Sequence, residues 1–536
     1  MTMSRLTRRD FLMTTAAAGL AASFAGSAGA ATAAPKKGGT LLASWGGFEP
    51  QALFVPAGGG SSPYFTATKV HERLFRLTSE LKFEPELALE IKPAADFRSY
   101  TIKLRDNVKW HDGKPFTADD VVYNAMEYWK PISGGVSLNA LQGAEAVDPL
   151  TVVLKFSAPV PEFFLKSVLA GKAGLVIAKH IYAGSNIITN PINNTPVGTG
   201  PYKVKEWVRG SHVEFLRNDN YWAPGLPYVD RLVIRWWRDP ASRSAAFEAG
   251  QLDIATFNPI PPPEITRLTA GGKFIAETKG YSNSAWVTTV EFNQRREIFK
   301  KREVRQALMQ AIDRDFIADT VFFGRAHPSV GAIASSNTIF FTKDVQAYPF
   351  DVKKAGAMLD AAGYPIKSGS RFKLSLVSAG WFEENIKIGQ YVKQAFEDLS
   401  IDVELTVPDR ATSLKRIYTD YDYDVAISNN SGGIELIPTT TQYYTTDGIV
   451  KGAAFRNATG YSNPKMDDIV AKMTVETDEA KRIELAHAFD SLAATDIPIL
   501  PMVDLEPVTI ARSDVRNHST AADFMGDSWS GVWLDR

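Results

Sequence analysis

The sequence predicts an α/β chain folded into two lobes, the second inserted into the first, joined by a hinge with a cleft between them. Three observations carry this. At 536 residues the chain exceeds what one hydrophobic core ordinarily organises. Segments with apolar residues at every second position alternate with segments of helical spacing, the order of α/β folds rather than of all-α or all-β ones. The stretch 372–407 reads strand, helix, strand, a unit that closes into a parallel pair through a right-handed crossover.

Taken in order, a Lys-Lys-Gly-Gly linker leads into TLLASW (40–45), a strand. YTIKLRDNVKW (100–110) alternates apolar and polar positions, which buries one face of a strand, and HDGKP (111–115) turns the chain. Thr117 then caps a helix expected to run to about 129, with Asp119 and Asp120 at the positive end of its dipole. TVVLKF (151–156) is a further strand, and between 191 and 227 the chain is rich in Gly, Pro and Asn, with VGTGPY (197–202) as a tight turn. RLVIRWW (231–237) sets Leu232, Ile234 and Trp236 on one face of a strand; a short helix over 245–252 and the strand DIATF follow.

In the second half, Val304, Ala307, Leu308, Ala311, Ile312, Ile317 and Val321 fall at helical spacing, predicting one helix over 303–323 that stops at Gly324. A helix over 351–362 precedes FKLSLVS (372–378), a helix over 383–399, IDVELTV (401–407) and the strand YDVAIS (423–428). Asn463-Pro464 opens another helix, with Asn as cap and Pro in the first turn. The last long helix, 477–494, precedes IPILPMV, a strand expected to return the chain to the first lobe.

The first thirty residues read as a separate object. Paired arginines, Arg8 and Arg9, precede a weakly hydrophobic alanine-rich stretch and Ala28-Gly29-Ala30, an A-x-A cleavage site. This predicts a twin-arginine export signal over 1–30, with a cut after Ala33 as the alternative, and a periplasmic destination. Cleavage after Ala30 shifts the formal charge from −1 to −3. The chain contains no cysteine, which excludes disulfides and a lipid anchor on cysteine. No stretch after 30 approaches the roughly eighteen apolar residues of a membrane span.

Composition and motifs narrow the function. The charge is balanced, 59 basic against 60 acidic residues without blocks of one sign, which argues against a nucleic-acid surface. The seven histidines never fall at spacings that place two imidazoles on one ion, so no metal and no cofactor is expected. G-x-S-x-G is absent, and Gly198-Thr199-Gly200 runs into Pro201, which has no N–H for phosphate. The acid pairs Asp119-Asp120 and Glu383-Glu384 sit at helix starts, where they complement the dipole. A two-lobed chain without a catalytic motif suggests enclosure of a ligand between lobes. A periplasmic hydrolase and a chaperone-like binder of extended chains remain as other classes.

The residues then resemble a known family. YTIKLRDNVKWHDGKPFTADDVVYN (100–124), GTGPYKVKEW (198–207), NDNYW (218–222), EFNQRREIFKKREVRQALMQAIDRDFI (291–317) and GYSNPKMDDIV (460–470) with IPILPMV are similar to the extracellular solute-binding proteins of family 5, from importers of dipeptides, oligopeptides and nickel. The resemblance implies a two-lobed periplasmic binding protein, monomeric and without enzymatic activity, that delivers a small solute to an ABC permease and ATPase in the inner membrane. It implies a first lobe over 36–285 plus 500–536, with a subdomain over about 78–197, and a second lobe over 286–499.

The resemblance also places the pocket. In peptide-binding members a tryptophan and an aspartate that pairs with the peptide amine follow the strand matching YDVAIS. Here SNNSGGIELIP (428–438) sets Asn430 and Gly433 at those positions. A buried ammonium without a carboxylate costs several kcal/mol, so the pocket is expected to take a neutral or hydroxyl-rich solute such as an oligosaccharide, a glycoside or a modified compound, with peptides as the alternative. Asn429, Asn430 and Ser431 offer donors and acceptors, Glu435 is an acid placed to stand in for the aspartate, and Trp45, Trp286, Trp381 and Tyr443 supply rings for stacking. A surface turn is the plain alternative for 428–438.

Overall fold

A computed structural model describes residues 34–46, 48–54, 61–237 and 239–536; the export-signal stretch 1–30 and both cleavage positions lie outside the described residues. Three larger sheets organise these, beside two two-stranded ones. The first lobe carries a seven-stranded sheet in the order Phe274–Glu277, Thr509–Arg512, Ile254–Thr256, Thr40–Trp45, Arg231–Arg235, His212–Arg217, Tyr202–Val208. Thr40–Trp45 is central and runs parallel to both its neighbours. A four-stranded antiparallel sheet of Ala88–Pro93, Ser99–Leu104, Thr151–Phe156 and Leu141–Asp148 forms the subdomain, over a core that includes Tyr100, Trp110, Tyr128 and Trp129.

The second lobe has a six-stranded mixed sheet, ordered Ala326–Pro328, Ile499–Leu505, Ala285–Phe292, Val425–Gly432, Lys373–Ser378, Asp402–Thr406. Lys373–Ser378 and Asp402–Thr406 pair in parallel across the helix Glu383–Glu397, as the strand, helix, strand pattern requires. Ile388, Val392 and Phe396 of that helix pack on Leu374, Leu376, Val290 and Ile427 of the sheet.

Four expectations are corrected. IPILPMV does not return the chain to the first lobe: Ile499–Leu505 pairs with Ala285–Phe292 in the second sheet, and the first sheet is rejoined only at Thr509–Arg512. The crossing therefore lies between Leu505 and Thr509, not at 500, because the apolar 499–503 run fills a gap beside Ala285–Phe292. The helix expected over 303–323 is interrupted. Arg302–Gln310 ends, Asp313 accepts from the Phe316 N–H to cap a new start, and a wider turn, Ile317–Val321, carries on to Gly324 at φ +72°. The segment VGTGPY is a docking point as much as a turn: a Cβ on Gly198 would stand 1.9 Å from the Val70 carbonyl oxygen, and only glycine permits that approach. Finally, YDVAIS does not end at Ser428, since the strand continues through Asn429, Asn430 and Ser431 to Gly432. The polar run is strand for its first half, not turn.

Candidate functional site

The register of this strand decides what its polar residues can do. Trp286 pairs with Ser431, Val287 with Asn430, Thr288 with Asn429, Thr289 with Ser428 and Glu291 with Ala426. Directly opposed residues share a face and consecutive ones alternate, so Trp286, Thr288, Asn429 and Ser431 project to one side of the sheet. Val287, Thr289, Glu291, Ser428 and Asn430 project to the other. Two adjacent asparagines thus serve two different environments.

On the first face lies the helix Glu383–Glu397. Asn429 Oδ1 accepts from Asn385 Nδ2 at 2.8 Å and from Trp381 Nε1 at 3.3 Å, and Asn429 Nδ2 donates to Thr288 Oγ1 at 3.2 Å. Asn429 is thereby held from three sides, and it orients the Trp381 indole. Trp381 is half-buried, with its ring 6.0 Å from Phe455 and the Arg410 guanidinium 5.7 Å from its centroid. Trp286 is half-buried between the lobes, 5.4 Å from Phe257 of the first sheet and 6.0 Å from Phe382 at the start of the helix Glu383–Glu397. Ser431 is exposed at the strand end.

The aromatic series continues into the first lobe. Phe257 stacks on Phe524 at 5.3 Å and 10°, and Trp45 lies behind both, 6.4 Å from Phe257 and 6.2 Å from Phe524. Trp45 is only 7% exposed, so it backs the cleft wall and does not form its surface. Phe257 has a left-handed backbone at φ +62°, a conformation that costs a side-chain-bearing residue free energy and collects at functional sites. Its N–H donates to Tyr281 Oη at 2.8 Å, and that oxygen is 2.8 Å from Thr509 Oγ1. The backbone of Phe257 is therefore tied to the second interlobe crossing.

On the opposite face, Asn430 borders a partly open cavity also lined by Val287, Thr289, Asn337, Thr440 and Tyr443, of which about 20 Å³ admits the centre of a water molecule. Asn430 is 7% exposed and its Oδ1 has no partner. Burial pushes the Tyr443 hydroxyl up to about 12, with Ser431 in hydrogen-bonding reach, so Tyr443 is a neutral donor at physiological pH. Deeper on this face Glu291 is fully buried, and neither carboxylate oxygen has a partner. Burial raises it from 4.5 to about 8, so it carries a proton at neutral pH. The cavity wall at Ala332 and Ile333 is pinned by Asp490 Oδ1, which accepts both N–H groups at 2.6 and 3.3 Å.

Glu435 is committed elsewhere. Both its oxygens accept from Arg482 Nη2, at 2.9 and 3.1 Å, and the Ile437 N–H donates to it as well. Both partners are buried, so the carboxylate is neutralised in place and has no capacity for a solute ammonium. Among the described residues, Glu206, His212 and Glu214 bring ligand atoms within 4.8 Å of one another, a grouping that the separations in sequence did not suggest. Glu214 is already neutralised by Arg231 and Lys205, so the cluster reads as an ion-pair network. Of the acid pairs, Asp120 accepts from the Thr117 and Lys179 N–H groups and Glu383 pairs with Lys387, both structural contacts.

The structure thus gathers Trp286, Trp381 and Asn429 on one side of the strand and Asn430 and Tyr443 on the other, with Ser431 at the strand end in reach of Tyr443. Phe257 and Phe382 extend the aromatic wall, Phe524, 3% exposed, backs it as Trp45 does, and all three were missed. Phe257 had a readable signal, since DIATF ends as a strand and strand ends border clefts; Phe524 had none, because no element was legible over 506–536.

A family model for bacterial extracellular solute-binding proteins, family 5, matches residues 82–451. The chain belongs to this family. Among curated relatives, the glutathione-binding protein GsiB of Escherichia coli K12 is 26% identical over 458 residues, covering 82% of this chain and 83% of that protein. Solved structures agree in fold. NikA from Brucella suis, in complex with Fe(III)-EDTA, superposes with a TM-score of 0.81 at 24% identity over 92% of this chain and all of that one. AgaA from A. tumefaciens R10, bound to agropinic acid, has a TM-score of 0.75 at 25% identity, over 93% of this chain and 99% of that one. The fold is that of a two-lobed periplasmic binding protein. Relatives in family 5 are solute-binding proteins of ABC importers rather than enzymes, and no described helix is long and apolar enough to cross a membrane.

Proposed function

We propose that this family 5 protein is a periplasmic receptor, exported by its twin-arginine signal, that closes on a neutral or hydroxyl-rich solute (an oligosaccharide, a glycoside or a modified compound) and delivers it as a monomer to its permease. The observation that carries the reading is the chemistry of the strand end. Trp286, Trp381 and Phe382 cluster on one face with Asn429, which holds Trp381, the neutral amide of Asn430 lies on the other face, and Ser431 is exposed at the strand end, while Glu435 is consumed by Arg482. Flat rings stack on the apolar faces of sugars at low entropic cost, and amides match hydroxyls without the desolvation penalty of an unpaired ion.

A peptide is the second reading, favoured by the match to glutathione-binding relatives. Native mass spectrometry of the mature protein, purified without refolding, followed by thermal-shift titration with oligosaccharide and peptide panels, separates the two. Stabilisation by neutral saccharides is the expected outcome; stabilisation by free-amine peptides alone overturns it. Turnover of any bound glycoside would overturn the receptor reading itself.

A further inference from the structure

The cavity beside Asn430 does not belong to the aromatic wall, for it lies on the opposite face of the strand from Trp286 and Trp381. We propose that it is a separate end-group subsite, which takes one uncharged hydrogen-bond-donating terminus of the bound solute, a hydroxyl or a carboxamide, on Asn430 Oδ1. The inference rests on the reading above that a solute fills the cleft between the lobes.

Four features of the cavity support this. Asn430 is more than nine-tenths buried, its side chain borders the cavity, and its Oδ1 is an acceptor with nothing to accept from. A buried unpaired acceptor costs free energy that a ligand donor recovers. The free volume is small, with about 20 Å³ open to the centre of a water-sized sphere, and has room for a terminal hydroxyl or amide. No Asp, Glu, Lys or Arg lines it, so an ammonium or a carboxylate would enter unpaired and at high cost. Its wall includes Ser431 and Gly432 at the strand end, where Ser431 is exposed, so the cavity borders the place where the aromatic wall begins.

The neighbouring polar groups are largely spoken for. Asn337 Nδ2 donates to the Gly433 and Ile434 carbonyls at 3.1 and 3.2 Å, and its Oδ1 accepts from the Phe340 N–H. These bonds hold the wall and leave Asn430 as the acceptor that selects the ligand group, with Tyr443 as a neutral neighbour.

The test uses the mature full chain and six probes: maltotriose, raffinose, sorbitol, 1-amino-1-deoxysorbitol, trialanine and glutathione. Affinities are measured by calorimetry for wild type, Asn430→Ala, Asn430→Ser, Asn430→Asp and, as a control for the aromatic wall, Trp286→Ala. The expected result is that Asn430→Ala weakens the neutral probe at least fivefold, that Asn430→Ser recovers part of the loss, and that Asn430→Asp shifts preference from sorbitol to its amine at least tenfold. If neutral probes bind and Trp286→Ala weakens them while every Asn430 variant stays within twofold of wild type, the cavity holds only water and the subsite is overturned, with the proposed solute class intact. If only trialanine or glutathione binds, the solute class falls, and because both peptides present charged termini the uncharged end-group subsite falls with it if the Asn430 variants change that binding. Binding of none of the six to wild type counts against both.

Discussion

The two faces of the strand Val425–Gly432 solve the same problem in opposite ways. On the face of Asn429 the polar atoms find partners within the protein: Asn385, Trp381 and Thr288 converge on one amide, and the loose end is Asn385 Oδ1. On the face of Asn430 the acceptor of that residue and both oxygens of Glu291 are buried without partners. The polar cluster around Asn429 is built for stability. The other face keeps polar groups in a costly state, which folding alone does not explain and which a ligand or a proton can relieve.

The contrast is sharpest against Glu435, a buried acid whose charge is fully answered. Removing its partner should do the greatest harm. Arg482→Ala would leave an ionised carboxylate buried without a counter-ion, and a loss of about 3–5 kcal/mol is expected from such half-pairs. Urea denaturation followed by circular dichroism measures it. A loss below about 1 kcal/mol would mean that water reaches Glu435, and its exclusion from solute binding would have to be reopened.

Glu291 should behave in the opposite sense. Its native form holds a proton up to about 8, against an ordinary value of 4.5. Between those values the unfolded chain has lost the proton and the native one has kept it, so stability falls as pH rises through the window and levels off above it. Asp490, pushed up to about 7 by burial, contributes with the same sign over a lower window. Replacing Glu291 with glutamine removes its share. The variant should gain about 2–4 kcal/mol on wild type between pH 5 and pH 8. Parallel pH dependences for the two proteins would show that Glu291 is ionised and solvated.

How much of this was legible in the sequence follows from the range of the interactions. Alternation and helical spacing are local, so the strand, helix, strand unit over 373–406 and the cap at Asn463 could be read directly. Which sheet a strand joins is not local: the 499–503 run is apolar on both sides and fits either lobe. Asn429, Asn430 and Ser431 were legible as a polar patch, but their division between two faces depended on the strand continuing to Gly432, against the low strand preference of Asn, Ser and Gly. Pairing with Trp286 and Ala285 overrides that preference. The Glu435–Arg482 pair spans 47 residues, and no spacing rule reaches so far.

The smallest effect is the most discriminating, because it compares neighbours of the same chemical type. Asn429→Ala strips Asn385 Nδ2, Trp381 Nε1 and Thr288 Oγ1 of a shared partner in a buried site, and should cost about 1–2 kcal/mol even without solute. Asn430→Ala removes an acceptor that makes no bond in the protein, so the lost packing and the relieved desolvation oppose one another and the net change should stay within about 0.5 kcal/mol. Paired denaturation curves in the absence of solute decide it. Equal losses would mean that Asn430 is satisfied in solution and that both faces are structural. A loss confined to Asn429→Ala would leave Asn430 as an amide the fold does not need, placed where a strand end meets a cleft.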